Sequence, residues 1–233
     1  MPPDVPLPEL VSGGVLLPHQ VVGVQWMLQR EMQGKGGILA DEAGTGKTPQ
    51  MVVVCFTNQL TTLIIVPGQK IAEQWRDVFK DFTGRRPMML LNSAACKGLP
   101  GGTPPGEVVL TTLSMFKSKK QPSLFADTKW QRVVVDEGHL IKNRTTQAYS
   151  RTNALDGDIR WIISGTPLQN AADELIALAE WAGFDGLMEP EDIVKEHMLR
   201  RSLSDTKHMN DMTLVKKVQP PPLAVLAVHQ TVP

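Results

Sequence analysis

The 233-residue sequence predicts an α/β fold, a parallel sheet with helices on both faces, gathered in a single lobe. Three observations predict it. Short apolar runs without polar alternation, at 38–40, 62–66 and 133–135, read as strands buried on both faces. Longer segments with apolar residues at helical spacing fall between them, as at 69–82. The first apolar run also stops at a glycine-rich turn, Gly44-Thr45-Gly46-Lys47-Thr48, which feeds an apolar helical segment over 48–60.

Taken in order, residues 1–14 are rich in Pro and Gly and are expected to be a flexible lead. Leu17-Pro18-His19-Gln20 opens a helix whose apolar face runs through Val21, Val24, Met27 and Leu28 to Glu31. Gln20 stands out because an amide can hydrogen-bond both the donor and the acceptor edge of adenine.

The turn after strand 38–40 carries the first chemistry. Glycines at 44 and 46 let the backbone bend until successive N–H groups point inward at a phosphate chain. Lys47 adds a point charge for the β/γ-phosphates, and Thr48 offers a hydroxyl to Mg²⁺ at a helix start that already favours anions. One position departs from a strict phosphate loop, which has Gly where this chain has Asp41. The strand–turn–helix context makes the stretch a nucleoside triphosphate site.

The run 62–66 is a strand stopped by Pro67, followed by an amphipathic helix with Ile71, Trp75, Val78, Phe79 and Phe82 inward. Residues 88–91 form a short apolar run, 97–106 a Gly/Pro-rich loop, and 107–112 a strand ending in Thr111 and Thr112. Phe116-Lys117-Ser118-Lys119-Lys120 is a basic loop. Next comes the second chemical centre, Arg132-Val133-Val134-Val135-Asp136-Glu137-Gly138-His139, where two carboxylates appear as a buried strand emerges. Open α/β sheets bind ligands at the carboxyl ends of their strands, and adjacent buried carboxylates call for a cation. Asp136 is thus the Mg²⁺ carboxylate, and Glu137 the base that orients or activates the attacking water. A further strand at 160–163 runs into Ser164-Gly165-Thr166-Pro167, where Ser164 and Thr166 can sense the acidic pair. Residues 173–184 read as a helix, and the tail after Gly186 as irregular.

Composition narrows the reading. With 24 basic and 24 acidic residues the formal charge is zero, so a nucleic-acid surface must be a local patch. Cys55 and Cys96 lack metal-site spacing and read as reduced thiols of an intracellular protein, in which the Asn143-Arg144-Thr145 sequon is coincidental. The first residues lack the basic and apolar regions of a secretory leader, and no apolar run approaches a membrane span.

Together these motifs resemble the first RecA-like lobe of superfamily 2 helicase-like ATPases, within the Swi/Snf-related group of P-loop NTPases. Asp41-Glu42-Ala43-Gly44-Thr45-Gly46-Lys47-Thr48 resembles that group's phosphate loop, and Asp136-Glu137-Gly138-His139 its acidic motif. Ser164-Gly165-Thr166-Pro167-Leu168-Gln169-Asn170 resembles its coupling motif, Leu17-Pro18-His19-Gln20 its adenine motif, and Leu199-Arg200-Arg201 a stretch beyond the first lobe. Gln74-Trp75 sits where the group has a similar pair.

The resemblance implies a lobe over 15–203 and a tail or linker over 204–233 leading toward a second RecA-like lobe. It implies ATP and Mg²⁺ as cofactors, with Asp41, Ala43, Gly44, Thr45, Gly46, Lys47 and Thr48 around the phosphates and Gln20 at the adenine. His139, Ser164, Gly165 and Thr166 would couple nucleotide state to motion. Pro67, Thr111, Thr112 and Lys117 would touch the backbone of double-stranded DNA, without sequence specificity. DNA-stimulated hydrolysis would drive translocation that remodels or displaces bound proteins, in chromatin remodelling or DNA repair, and in the nucleus if the source is eukaryotic. The second lobe, in cis or trans, supplies an arginine worth roughly 10³–10⁵ in rate, so this chain alone is expected to turn over weakly or not at all. The alternative is an inactive truncated paralogue serving as a nucleotide-binding or scaffold module.

Overall fold

The computed structural model describes residues 5–11, 14–97, 103–117, 122–165 and 172–211. The chain runs α1 (Pro18–Met32), β1 (Gly37–Leu39), α2 (Lys47–Asn58), β2 (Thr62–Val66), α3 (Gln69–Thr83), β3 (Met88–Leu90) and α4 (Ser93–Lys97). It continues through β4 (Val108–Thr112), α5 (Ser114–Lys117), α6 (Ser123–Asp127), β5 (Trp130–Asp136), a 3₁₀ turn (Gly138–Ile141), α7 (Gln147–Asn153) and β6 (Gly157–Ile163). The last described elements are α8 (Ala172–Trp181), α9 (Pro190–His197), β7 (Met198–Leu199) and α10 (Leu203–Asp211).

Among the described residues seven strands form one sheet in the order β3-β4-β2-β5-β6-β1-β7, and every neighbouring pair is parallel. Successive strand side chains point to opposite faces, which is why the apolar runs are continuous. Leu39, Ile64, Val66, Val134 and Ile163 pack under α1, α2 and α3. Their neighbours Ile38, Leu63, Ile65, Val133, Val135 and Ile162 pack on the other face with Phe116, Phe125, Tyr149, Leu178, Trp181 and Ile193 from α5 to α9. This is the predicted RecA-like layering, helices on both faces of a parallel sheet.

At the amino ends of the central strands a charge is buried. Arg132 donates to both oxygens of Glu31 at 2.7 and 2.5 Å and to Thr62 Oγ1 at 3.0 Å. Trp161 Nε1 and Asn58 Nδ2 also donate to Glu31, at 2.9 and 2.6 Å. Burial opposes the Arg132 charge, but the Glu31 carboxylate outweighs it and raises the guanidinium pKa. Cys55, packed against this pair, has its thiol pushed up to about 11 by burial, and both cysteines are free thiols. A low-reactivity thiol follows from that burial.

Several local expectations are corrected. Residues 5–11, expected to be a flexible lead, lie on the lobe: Val5, Leu7 and Leu10 pack against its core. Gln25 exchanges two hydrogen bonds with the Val5 backbone at 2.8 and 2.6 Å, and Val11 N–H donates to Phe82 O. The segment after Gly186, expected to be irregular, forms α9, β7 and α10, with β7 adding a strand beside β1. Ser202 and Asp205 exchange hydrogen bonds to each other's backbone N–H, a reciprocal cap that starts α10. Residues 212–233, the rest of that expected tail, lie outside the described residues. Phe116 and Lys117 are helical in α5 rather than loop. No helix among the described residues is long and apolar enough to cross a membrane.

Candidate nucleotide site

Strand register brings the motifs to one rim. Ile163 of β6 pairs with Leu39 of β1 on one side and with Asp136 of β5 on the other. The phosphate loop, the acidic pair and the Ser164-Gly165 turn therefore leave the sheet at the same level. Thr166 lies outside the described residues.

The loop bends as its glycines require. Gly44 and Gly46 have φ of 88° and 79°, the left-handed region that a side chain disfavours. A Cβ at Gly46 would also lie 2.1 Å from Gln20 Nε2. Lys47 starts α2, and its ammonium donates to the Asp41 and Glu42 carbonyls at 2.7 and 3.0 Å. Burial pulls the Lys47 pKa below its usual value, against the raising effect of Asp41, Glu137 and Asp136. Pro49 falls in the first turn of α2, where a missing N–H breaks no helical bond. Thr48 is half-buried beside it, while Ala43 and Gly44 are exposed on the loop's outer edge.

Gln20 reaches the loop but is anchored there. Its oxygen accepts from Leu17 N–H at 2.9 Å and its nitrogen donates to Thr45 O at 3.1 Å, which occupies half of the amide's capacity. His19 Nε2 meets the same carbonyl at 2.7 Å.

Asp136 is held from two sides: Trp75 Nε1 donates to Oδ2 at 2.8 Å and Glu137 N–H to Oδ1 at 3.0 Å. Burial pushes this carboxyl from 3.8 up to about 6, with help from the Glu137 charge and against both hydrogen bonds and Lys47. Glu137 itself sits in the left-handed region with φ 56° and ψ 59°. Strain of that kind collects at functional sites. Its Oε2 lies 3.1 Å from His139 Nδ1. Ser164 is fully buried, its N–H donating to Leu39 O at 3.0 Å. A Cβ on Gly165 would approach Lys47 Nζ to 3.1 Å, so this turn lies directly against that lysine.

The raised Asp136 pKa has a testable sign. The folded chain holds this proton to higher pH than the unfolded one, so the associated stability is present below about pH 4 and lost as pH rises through 6. At pH 7.5 without metal, the ionised carboxylate costs about 2–3 kcal/mol. Asp136→Asn should therefore raise the urea midpoint at pH 7.5, with the gain fading toward pH 4. An equal gain at both pH values would contradict this account.

The rim expected to face DNA is only partly available. Pro67 and Gly68 follow β2 and are half-exposed, and Lys117 is exposed on α5. Thr111 and Thr112 are buried, with hydroxyls bonded to Leu90 O and Ser114 Oγ, both at 2.7 Å. They close the end of β4 and do not present hydroxyls to solvent, which corrects the expected phosphate contact.

Three side chains that shape the site were not legible as such. Trp75 fixes Asp136 from 61 residues away. Arg201 Nε donates to Asp41 Oδ1 at 3.0 Å, and Nη2 donates to the other oxygen. Glu42 Oε2 accepts from Leu203 N–H at 2.6 Å and so ties α10 to the loop. Asp41 itself was a signal for a cationic partner, since a carboxylate buried in a loop needs a cation. A cleft of about 100 Å³ opens here, lined by Ala40, Glu42, Gly165, Arg200, Arg201 and Ser202. A larger one, about 330 Å³ and lined by Phe56, Phe79, Arg85 and Glu107, opens among residues of other segments, and none of the motif residues lines it.

Comparison with known proteins agrees with this architecture. The SNF2-related domain model matches residues 19–217. The transcription regulatory protein SNF2 of Saccharomyces cerevisiae is 33% identical over 187 residues, covering 73% of this chain and 10% of that protein. An uncharacterized ATP-dependent helicase of Schizosaccharomyces pombe is 31% identical over 196 residues, covering 71% of this chain and 19% of that protein. The Sulfolobus solfataricus SWI2/SNF2 ATPase core in complex with dsDNA superposes with a TM-score of 0.71 at 23% identity. That match covers 90% of this chain and 49% of the other, and it bears on the fold. The chain thus spans a fifth or less of these two relatives and about half of the archaeal core.

Proposed function

Because this chain belongs to the SNF2-related domain family, we propose that it is the ATP-binding lobe of a DNA-dependent ATPase that moves along duplex DNA and displaces or remodels what is bound there. The observation that carries the reading is the common level of Leu39, Asp136 and Ile163, which gathers Lys47, Asp136, Glu137 and Gly165 at one rim. In this reading Lys47 leaves the Asp41 and Glu42 carbonyls for the β/γ-phosphates, and the amides of Ala43 to Thr48 surround them. Gln20 offers adenine its second N–H and second lone pair.

Thr48 and Asp136 fit Mg²⁺: they are hard oxygen donors, and Asp136 is a carboxylate whose burial a cation would relieve. Mg²⁺, when bound, neutralises phosphate charge. Glu137 orients the attacking water and receives its proton, with His139 beside it. Ser164 and Gly165, together with Thr166, relay the change at Lys47 and Asp136 to neighbouring elements. A second RecA-like lobe, in cis or trans, adds the arginine that speeds turnover. Pro67, Gly68 and Lys117 line the surface that meets one DNA strand through its phosphates, without reading sequence. In a eukaryote this activity belongs in the nucleus.

Calorimetric titration of this chain with ATP and Mg²⁺ tests the reading. Binding should be present in the wild type and weakened by about 10–100-fold in Lys47→Ala, the scale of a lost charge-assisted hydrogen bond. Absence of binding in a folded wild-type chain would sink the proposal and leave the scaffold module.

A further inference from the structure

Arg201 belongs to the Leu199-Arg200-Arg201 stretch, which the nucleotide reading leaves without a task. It lies 160 residues from Asp41, yet its guanidinium is buried and directed wholly into the surroundings of the phosphate loop. Its fork takes both Asp41 carboxylate oxygens. It also donates to His19 O at 2.5 Å, on the adenine-side helix, and to Gln50 Oε1 at 3.2 Å, on α2. Its surroundings are shaped to admit it. A Cβ on Gly23 would stand 2.8 Å from Nη2 and 1.9 Å from Gln50 Oε1, so α1 must be bare there.

The backbone repeats the connection. Ala40 N–H donates to Leu199 O at 2.8 Å and Glu42 N–H to Arg201 O at 2.9 Å. Residues 40–42 are thus held from one side by 199–203 and from the other by the Lys47 ammonium. When Lys47 turns to a phosphate, the Asp41 and Glu42 carbonyls lose that donor; Thr45 Oγ1 still donates to Glu42 O at 2.9 Å, and the 199–203 side supplies the remaining hold on these peptides.

We propose that Arg201 is a positioning residue of the nucleotide site, fixing the first half of the phosphate loop between α1 and α2 and linking nucleotide binding to the docking of 199–203 and α10. The inference rests on the reading of this loop as an ATP site. Arginine is required because one planar fork reaches two carboxylate oxygens, a carbonyl and an amide oxygen together, which a lysine ammonium cannot span. Linkage is reciprocal: whatever steadies the loop steadies the segment behind it.

Two measurements on the chain with Mg²⁺ and ATP test this. Arg201→Lys, at a temperature where thermal melting shows it fully folded, should bind about tenfold or more weakly. Asp41→Asn should bind more weakly too, since it cuts the same link from the other side. Hydrogen exchange in the wild type, which needs no variant, should show nucleotide raising protection at the amides of Glu42 and Leu203 along with those of 44–48. Affinity within twofold of wild type in both folded variants would overturn the proposal. So would protection confined to 44–48, the result available if neither variant folds. A wild type that shows no Lys47-dependent binding would instead overturn the ATP reading, and this inference with it.

Discussion

Glu137→Gln should lower ATP hydrolysis by about 10²–10⁴-fold, the usual worth of a positioned general base, in any form of the protein that turns ATP over, alone or with a second lobe. The substitution keeps the side chain's size and removes only its capacity to take a proton. It also keeps whatever the left-handed backbone at 137 costs, because glutamine is no better suited than glutamate to φ 56°. Mg²⁺–ATP affinity should therefore stay close to wild type while turnover collapses. Steady-state hydrolysis with and without duplex DNA, paired with calorimetric binding, separates the two quantities. If Glu137→Gln hydrolyses ATP at the wild-type rate, another group activates the water and the assignment fails.

Arg132→Met should destabilise the folded lobe by about 3–5 kcal/mol, because it leaves the Glu31 carboxylate buried without its cation. The remaining donors to Glu31, Trp161 and Asn58, are neutral and cannot replace that charge. Adding Glu31→Leu to Arg132→Met should recover part of the loss, since the uncompensated buried charge is gone while Trp161 Nε1 and Asn58 Nδ2 lose their acceptor. Urea denaturation of the two single variants and the double variant measures this directly. If the double variant is as unstable as the sum of the singles, the pair is not the source of the effect.

Much of the sheet was legible because each central strand is a short continuous apolar run, and such runs leave few alternatives in an α/β chain. The loop at 44–48 and the acids at 136–137 were legible because their chemistry is local: glycines that turn, a lysine at a helix start, carboxylates at a strand end. What escaped the sequence lies in long-range pairing. Nothing near Trp75 announces that its indole will hold Asp136, and nothing near Arg201 names Asp41 as its partner. The threonines ending β4 misled for a related reason. A hydroxyl next to a strand end can face solvent or bond inward, and the position of Leu90 on the adjoining strand decides between them. The helices α5, α6 and α7 are only four, five and seven residues long, too short for their periodicity to stand out. The stretch 190–199 looked irregular because its fold depends on an edge of the sheet already being formed by β1.

The middle of β5 is Val133-Val134-Val135, three identical side chains with nothing to distinguish one pairing of the strand from the next. A slip of one residue would still bury valines on both faces of the sheet. It would also turn Asp136 away from the rim and bring Arg132 out of reach of Glu31. Arg132 therefore acts as an index mark: the only alignment of β5 that neutralises its guanidinium is the one that delivers the acidic pair to the phosphate loop, four residues and about 13 Å along the strand. A misaligned β5 would leave that guanidinium buried without its carboxylate, at the opposite end of the strand from the acidic pair.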